Sequence, residues 1–255
     1  MAVFEVNPLY DKVKKLILNS ILNFNNSGEI FIKGNRNTIK LFQIEEKIYN
    51  IKSFKSPNLV NKIAYRYFRK SKAKRSFEFA TLLIEKGIGT PNPIAFYENF
   101  DLIGLKDSYY VCEHLNSDLT YRELVETNYP DAENILRQFT QFTFDMHQKG
   151  IEFLDHSPGN TLIKNEGNGV YSFYLVDLNR MKFHKELNFH TRMKNLSKIT
   201  PKENMVQIMS NEYAKISGLE EKMVFSTMWQ LTQDFQFRFY RKKRLKKKLK
   251  FWKKQ

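Results

Sequence analysis

A single cysteine, Cys112, occurs among 255 residues, so neither an internal disulfide framework nor a cysteine-built zinc site can be assembled from this chain. A reducing compartment, by default the cytosol, is the expectation. Ten glycines and seven prolines are scattered, with no Gly/Ser/Pro-rich linker and no internal repeat, so domain limits must be read from changes of pattern. No window offers roughly 18 apolar residues, which excludes a membrane-spanning helix. The opening stretch MAVFEVNPLYDKVKKLILNS has no uninterrupted apolar core of the kind a secretory signal needs. Any membrane contact is expected to be peripheral. Acidic residues are missing from one place above all: the last fifteen residues, RKKRLKKKLKFWKKQ, hold ten Lys or Arg and no acid.

That tail accounts for most of the net charge of +15. The first 240 residues carry 32 basic against 27 acidic side chains and are only mildly basic. With 42% hydrophobic residues the chain can build a sizeable core, in one large domain or two small lobes. EIFIKGNRNTIKLFQI (29–44) alternates apolar and polar residues around a Gly-Asn-Arg-Asn turn and predicts a β-hairpin, with KIYNIKSF (47–54) as a third strand. From about Asn61 to Lys86 the apolar residues fall at helical spacing, with Phe79, Leu82 and Leu83 on one face, until GIGTPNP ends the helix. SYYVCEHL (108–115) predicts another strand. DAENILRQFTQFTFDMHQKG (131–150) predicts a helix with an acidic first turn and a glycine stop at Gly150. YSFYLVDL (171–178) reads as a buried strand, and a long helix runs from about Glu220 into the basic tail. Strands first and helices later argue for an α+β fold.

The stretch FLDHSPGNTLI (153–163) carries the chemistry. Phosphoryl transfer to a hydroxyl needs a carboxylate near the attacking oxygen, oxygen ligands for Mg²⁺, and a cation on the phosphates. Kinase catalytic loops place the base Asp five residues before a metal-binding Asn. Asp155 and Asn160 have that spacing, with Pro158 and Gly159 between them to turn the loop. Asp177, closing the apolar run FYLV, is where a second metal carboxylate would emerge. A lysine on the third strand should meet the phosphates, paired with a Glu on the next helix. Lys52 is in phase with Ile48 and Asn50, and its apolar neighbours Ile51 and Phe54 favour it over Lys47 and Lys55. Glu78 is the candidate partner, the other reading being an ordinary exposed helix charge. His147 and His156 have no accompanying ligand pattern, so a structural role is expected for both. Cys112 is expected to pack inside its strand. Arg180 and Met181 are expected to anchor the segment after Asp177, with Arg180 also a candidate contact for substrate phosphate.

MHQKGIEFLDHSPGN resembles the stretch that leads into the catalytic loop of protein kinases and small-molecule kinases. Together with SKAKRSFEFATLLIEKGIGTPNPIAF and LVDLNRMKF, it resembles the lipopolysaccharide core kinases, the Kdo/WaaP family, over roughly residues 25–185. The resemblance implies a two-lobed protein-kinase-like fold: an antiparallel-sheet N-lobe (1–115), a mainly helical C-lobe (116–240) and a basic amphipathic tail (241–255). It implies a cytoplasmic-face kinase that uses ATP and Mg²⁺ to phosphorylate a sugar hydroxyl, on Kdo or heptose, of the lipid A-core oligosaccharide. Asp155 would be the base, Asn160 and Asp177 the metal ligands, Lys52 and Glu78 the phosphate anchors, and Gly34 the cover of the phosphates. Glu113 and Leu115 would form the hinge that meets adenine. Three positions depart from the pattern: Phe153 stands where the H-R-D histidine would be, DLN replaces D-F-G, and the phosphate-covering turn keeps one glycine.

In the tail, Leu245, Leu249 and Trp252 recur at i, i+4, i+7 among lysines, the pattern of a helix lying on an anionic membrane. A nucleic-acid partner is not expected, because no nucleic-acid-binding signature accompanies the charge. A solvated tail is the alternative. For function, the alternatives are a kinase for a protein or another small molecule, or a nucleotide-binding pseudokinase.

Overall fold

A computed structural model of the protein describes the backbone of residues 1–252 and side chains through residue 247. The chain divides into two compact units, residues 1–116 with 174–179, and residues 117–173 with 180–255. Each has its own apolar core.

The first unit is built on a six-stranded sheet. It opens with β1 (Ala2–Val6), a 3₁₀ turn (Pro8–Val13) and α1 (Lys14–Leu22). Next come β2 (Glu29–Lys33), β3 (Asn37–Ile44), β4 (Lys47–Phe54), α2 (Leu59–Tyr67), α3 (Lys72–Glu85), β5 (Pro93–Phe100) and β6 (Leu105–Glu113). The spatial order is β1-β5-β6-β4-β3-β2, with every neighbouring pair antiparallel. The hairpin and third strand lie where the alternation predicts them. The β3–β4 connection is a two-residue turn between Ile44 and Lys47, for which Glu45 takes a left-handed conformation (φ 54°). One face of the sheet buries Phe42, Ile44, Tyr49, Ile51 and Val111 against Ile17 and Ile21 of α1.

The helix expected over 61–86 is two helices. Ser71, almost wholly buried, interrupts it and caps α3 by accepting a hydrogen bond from the Lys74 amide (3.1 Å). The break has a packing cause. α2 buries no residue, whereas α3 buries Ala73, Phe77, Ala80 and Leu83, so the two stretches need different orientations. Of the residues expected on the inner face, Leu83 is buried, while Phe79 and Leu82 are half-buried.

The second unit starts at β7 (Leu119–Thr120), then α4 (Tyr121–Glu126), α5 (Ala132–Gln148) and β8 (Ile151–Phe153). β9 (Thr161–Gly167) and β10 (Val170–Leu175) follow a 3₁₀ turn at Pro158–Asn160. β11 (Met181–Phe183), α6 (Phe189–Leu196), α7 (Glu203–Ser217) and α8 (Glu221–Trp252) complete it. Two small sheets, β10-β9-β7 and β11-β8, accompany the helices. The core gathers Tyr121, Phe139, Ile163, Met193, Met209, Tyr213, Val224 and Met228. The strand expected over 171–178 ends at Leu175, so Val176 to Leu178 run on as irregular chain. No helix among the described residues is long and apolar enough to cross a membrane.

Candidate active site

The predicted residues fall into two groups, one in each unit. In the first, Lys52 sits in the middle of β4, opposite Ile39 on β3 and Tyr110 on β6. Its Nζ donates to Asp177 Oδ1 at 2.7 Å, with the side chains 12% and 35% exposed, and lies 5.3 Å from the Phe54 ring centroid. A salt bridge across 125 residues, between a central strand and the chain just beyond another strand, requires both to be placed by the fold. Asp177 is presented by left-handed backbone (φ 59°), a conformation Asp tolerates better than most residues. Asn179 Nδ2 donates to the same Oδ1 at 2.8 Å. The segment is tied down two residues earlier: the Leu175 amide donates to the Gly89 carbonyl (2.8 Å) and its carbonyl accepts from Thr90 Oγ1 (2.8 Å).

Glu78 is not the partner of Lys52. Both its carboxylate oxygens accept from Lys70 Nζ, at 2.9 and 2.8 Å. The expected Lys52–Glu78 pair is therefore replaced by two separate pairs, Lys52–Asp177 and Lys70–Glu78, because Lys70, just ahead of the Ser71 cap, competes for the helix carboxylate. Gly34 forms the β2–β3 turn, its amide donating to the Asn37 carbonyl at 3.0 Å.

At the end of β6 the Glu113 side chain accepts from Lys47 Nζ (2.7 Å) and Asn92 Nδ2 (2.8 Å). Burial pushes its carboxyl up, but the hydrogen bonds from Lys47, Asn92 and Tyr10 outweigh that and hold it below its usual range. The Glu113 and His114 amides donate to the carbonyls of Asn92 (3.0 Å) and Ile48 (2.9 Å). Leu115 follows directly. Cys112 is buried, and burial pushes its thiol up to about 12, so it is a packed strand residue.

In the second unit, β8 pairs with β11 so that Phe153 faces Met181. The Leu154 amide donates to the Arg180 carbonyl (3.0 Å) and its carbonyl accepts from Lys198 Nζ (2.6 Å). The loop from Asp155 to Asn160 is closed on itself. The Asn160 amide donates to the Ser157 carbonyl (2.9 Å) and its Nδ2 to the Asp155 carbonyl (2.8 Å). This leaves Asn160 Oδ1 as an acceptor. The Asp155 carboxylate is 40% exposed, with Arg180 as a loose ionic neighbour at 3.9 Å. Burial lowers the Lys198 pKa, while Asp155 raises it.

What holds this loop was not legible in the sequence. Asn195, on α6, is buried and makes three contacts: Oδ1 with His147 Nε2 (3.1 Å) and His156 Nδ1 (3.2 Å), and Nδ2 to the Phe153 carbonyl (2.7 Å). For Oδ1 to accept twice, both imidazoles must present N–H there, which leaves His147 Nδ1 to accept from the Tyr213 hydroxyl (3.2 Å). Burial lowers the two histidines to about 4 and about 3, so both are neutral near pH 7. Phe153 is fully buried, its ring centroid 5.7 Å from that of His156. His156, one residue beyond Asp155, thus supports the loop that Phe153 anchors through its backbone. Gly150, at the end of α5, has φ 73°, and a Cβ there would collide with the His184 carbonyl.

Among the described residues no cluster of three or more His, Cys, Asp or Glu could hold a metal ion. Mg²⁺ needs fewer protein ligands, one or two oxygens completed by water and substrate phosphate. In the second unit Asn160 Oδ1, and in the first the second oxygen of Asp177, are each oxygens of that kind.

A mixed α/β chain with a six-stranded antiparallel sheet and a helical second unit, carrying these residues, is consistent with a kinase-like fold. One solved structure similar to it is WaaP in complex with acyl carrier protein, with a TM-score of 0.60 and 14% sequence identity over 92% of this chain and 98% of that one. At that identity the likeness is one of fold: the chain has a WaaP-like fold. No family model and no curated protein matches the sequence.

Proposed function

We propose that the protein is an ATP-dependent kinase of two lobes that phosphorylates a sugar hydroxyl, Kdo or heptose, of the lipopolysaccharide inner core. The observation that carries the kinase reading is the Lys52–Asp177 contact: a central-strand lysine and the carboxylate after β10 are the two charges a Mg·ATP phosphate tail needs. Lys52 would neutralise the phosphates, with Gly34 near them. The Glu113 and Leu115 backbone would meet adenine. Asn160 and Asp177 would hold Mg²⁺, which supplies charge neutralisation on the transferred phosphoryl group. Asp155 would orient the acceptor hydroxyl and take its proton. Its partly exposed carboxylate, without a close ionic partner, suits that role.

The sugar acceptor rests on the resemblance of SKAKRSFEFATLLIEKGIGTPNPIAF, DHSPGNTLI and LVDLNRMKF to the core kinases and on the WaaP-like fold. An acceptor anchored in a bilayer would bring the enzyme to the cytoplasmic face of the inner membrane, peripherally, through its basic tail. One observation favours a second reading: with Glu78 held by Lys70, the pair an active kinase needs is absent, as a nucleotide-binding pseudokinase would tolerate. Labelled ATP offered with purified lipid A-core, and separately with generic protein substrates, tests both. Label in the lipid, abolished by Asp177→Ala, is expected. Label only in protein would replace the acceptor class, and no transfer at all with intact Mg·ATP binding would favour the pseudokinase.

A further inference from the structure

The first unit holds a cleft of about 430 Å³ that the groups above leave unused. Buried Phe54 and Leu105 give it apolar lining, and Ser56, Asn61 and Tyr65 are among its polar residues. Three cations line it from three separate elements: Arg36 from the β2–β3 turn, Lys55 directly after β4, and Lys72 at the start of α3. No carboxylate lines it.

Several other cations of the unit are matched. Lys52 pairs with Asp177, Lys62 with Asp101, and Lys70 with Glu78. Arg66 donates to the carbonyls of Asp101 and Leu102, and buried Lys40 donates to those of Phe24 and Ser27. Arg36, Lys55 and Lys72 make no ion pair among the described residues. Lys72 is half-buried, and burial first, then Arg36, disfavours its charged form, opposed by Asp177. Lys72, partly out of water beside the like charge of Arg36 and without an ion pair, is favoured in its charged form when an anion joins it. Cations supplied by three separate elements are the kind of donors that the several oxygens of a terminal phosphate accept from, and a guanidinium adds planar, bidentate donation.

We propose that this cleft binds a phosphate monoester group, held by Arg36, Lys55 and Lys72. Two sources share that chemistry: the terminal phosphate of a nucleotide anchored at Lys52 and Asp177, or a phosphate on a separate phosphorylated molecule. The inference rests on the kinase reading only for the source, since the binding itself needs no turnover.

The test uses the full chain, labelled with ¹⁵N and titrated with inorganic phosphate. Saturable amide shifts centred on Ser56, Asn61 and Lys72 are expected, weakened about tenfold or more in Arg36→Ala/Lys55→Ala. Both substituted residues are exposed, and an unchanged thermal midpoint confirms the fold. Lys14→Ala/Lys15→Ala, which removes two exposed cations on α1, is expected to leave the affinity unchanged. Shifts that survive in the Arg36/Lys55 variant, weaken equally in the Lys14/Lys15 variant, or never saturate overturn the assignment. Repeating the titration with a saturating non-hydrolysable Mg·ATP analogue separates the sources. Displaced phosphate identifies the nucleotide's own phosphate as the occupant, and retained phosphate a second ligand. A protein that binds phosphate here but transfers none would sink the kinase reading and leave the cleft assigned.

Discussion

The loop that Asp155 and Asn160 close was legible as a spacing of five along the chain, whereas Asn195, which holds the same loop, lies 42 residues from Phe153 and belongs to no local pattern. The same contrast explains Glu78. Its place on the helix after the lysine strand could be read, but the competition from Lys70 is decided by where the Ser71 cap breaks the chain. The histidines carry a prediction at this scale. Both are buried and neutral, with folded pKa values near 4 and 3 against 6.5 in the unfolded chain. The unfolded state therefore binds more protons as pH falls below 6.5, and stability is lost from there down towards pH 4 for His147 and pH 3 for His156. Urea unfolding at pH 7 and pH 5 should differ by about 4 kcal/mol from these two groups, roughly 2 kcal/mol each. His156→Gln should lose about half of that difference. A pH dependence unchanged by the substitution would mean that His156 already titrates normally in the fold. Asn195→Ala strands both imidazoles and the Phe153 carbonyl, and is expected to destabilise the second unit by about 3 kcal/mol or more, read as a lowered urea midpoint.

Strands β3 and β4 could be read from alternation because one face of each packs on a core, whereas β2 alternates in sequence but is exposed at all five positions and is held by its pairing with β3. β1 and β5 were not predicted. β1 is an edge strand of five residues with little buried surface, and PIAFYENF in β5 is buried at six successive positions, which removes the alternation. The division into α2 and α3 was equally hidden, since apolar residues keep helical spacing through the break and only burial separates them. Ser71 is what enforces the division: Ser71→Ala is expected to cost about 1 kcal/mol, and a larger loss would indicate that the cap also fixes Lys70 against Glu78. β10 shows the converse. Its apolar run continues to Leu178, but pairing stops at Leu175 and the chain turns left-handed at Asp177, which is what frees that carboxylate to meet Lys52.

Across the whole molecule, charge and chemistry are distributed unevenly. α8 extends from a buried start, with Val224 and Met228 in the core, to an exposed basic end, where Leu245 is 52% exposed. Leu249 and Trp252, the other two positions of the expected apolar stripe, lie outside the described side chains. Deleting residues 241–255 removes ten of the 42 basic residues and, on the membrane proposal, should abolish salt-sensitive sedimentation with anionic vesicles while leaving binding of nucleotide intact. Unchanged sedimentation would return the tail to a solvated role. The kinase proposal is also a property of the whole chain, because its residues are shared between both units. Its most direct test is single-turnover phosphoryl transfer by the Asp155→Ala protein, measured beside its affinity for Mg·ATP. Transfer is predicted to fall by about 10²- to 10⁴-fold, the contribution of a positioned general base, with nucleotide affinity retained. Transfer at the unsubstituted rate would contradict the account.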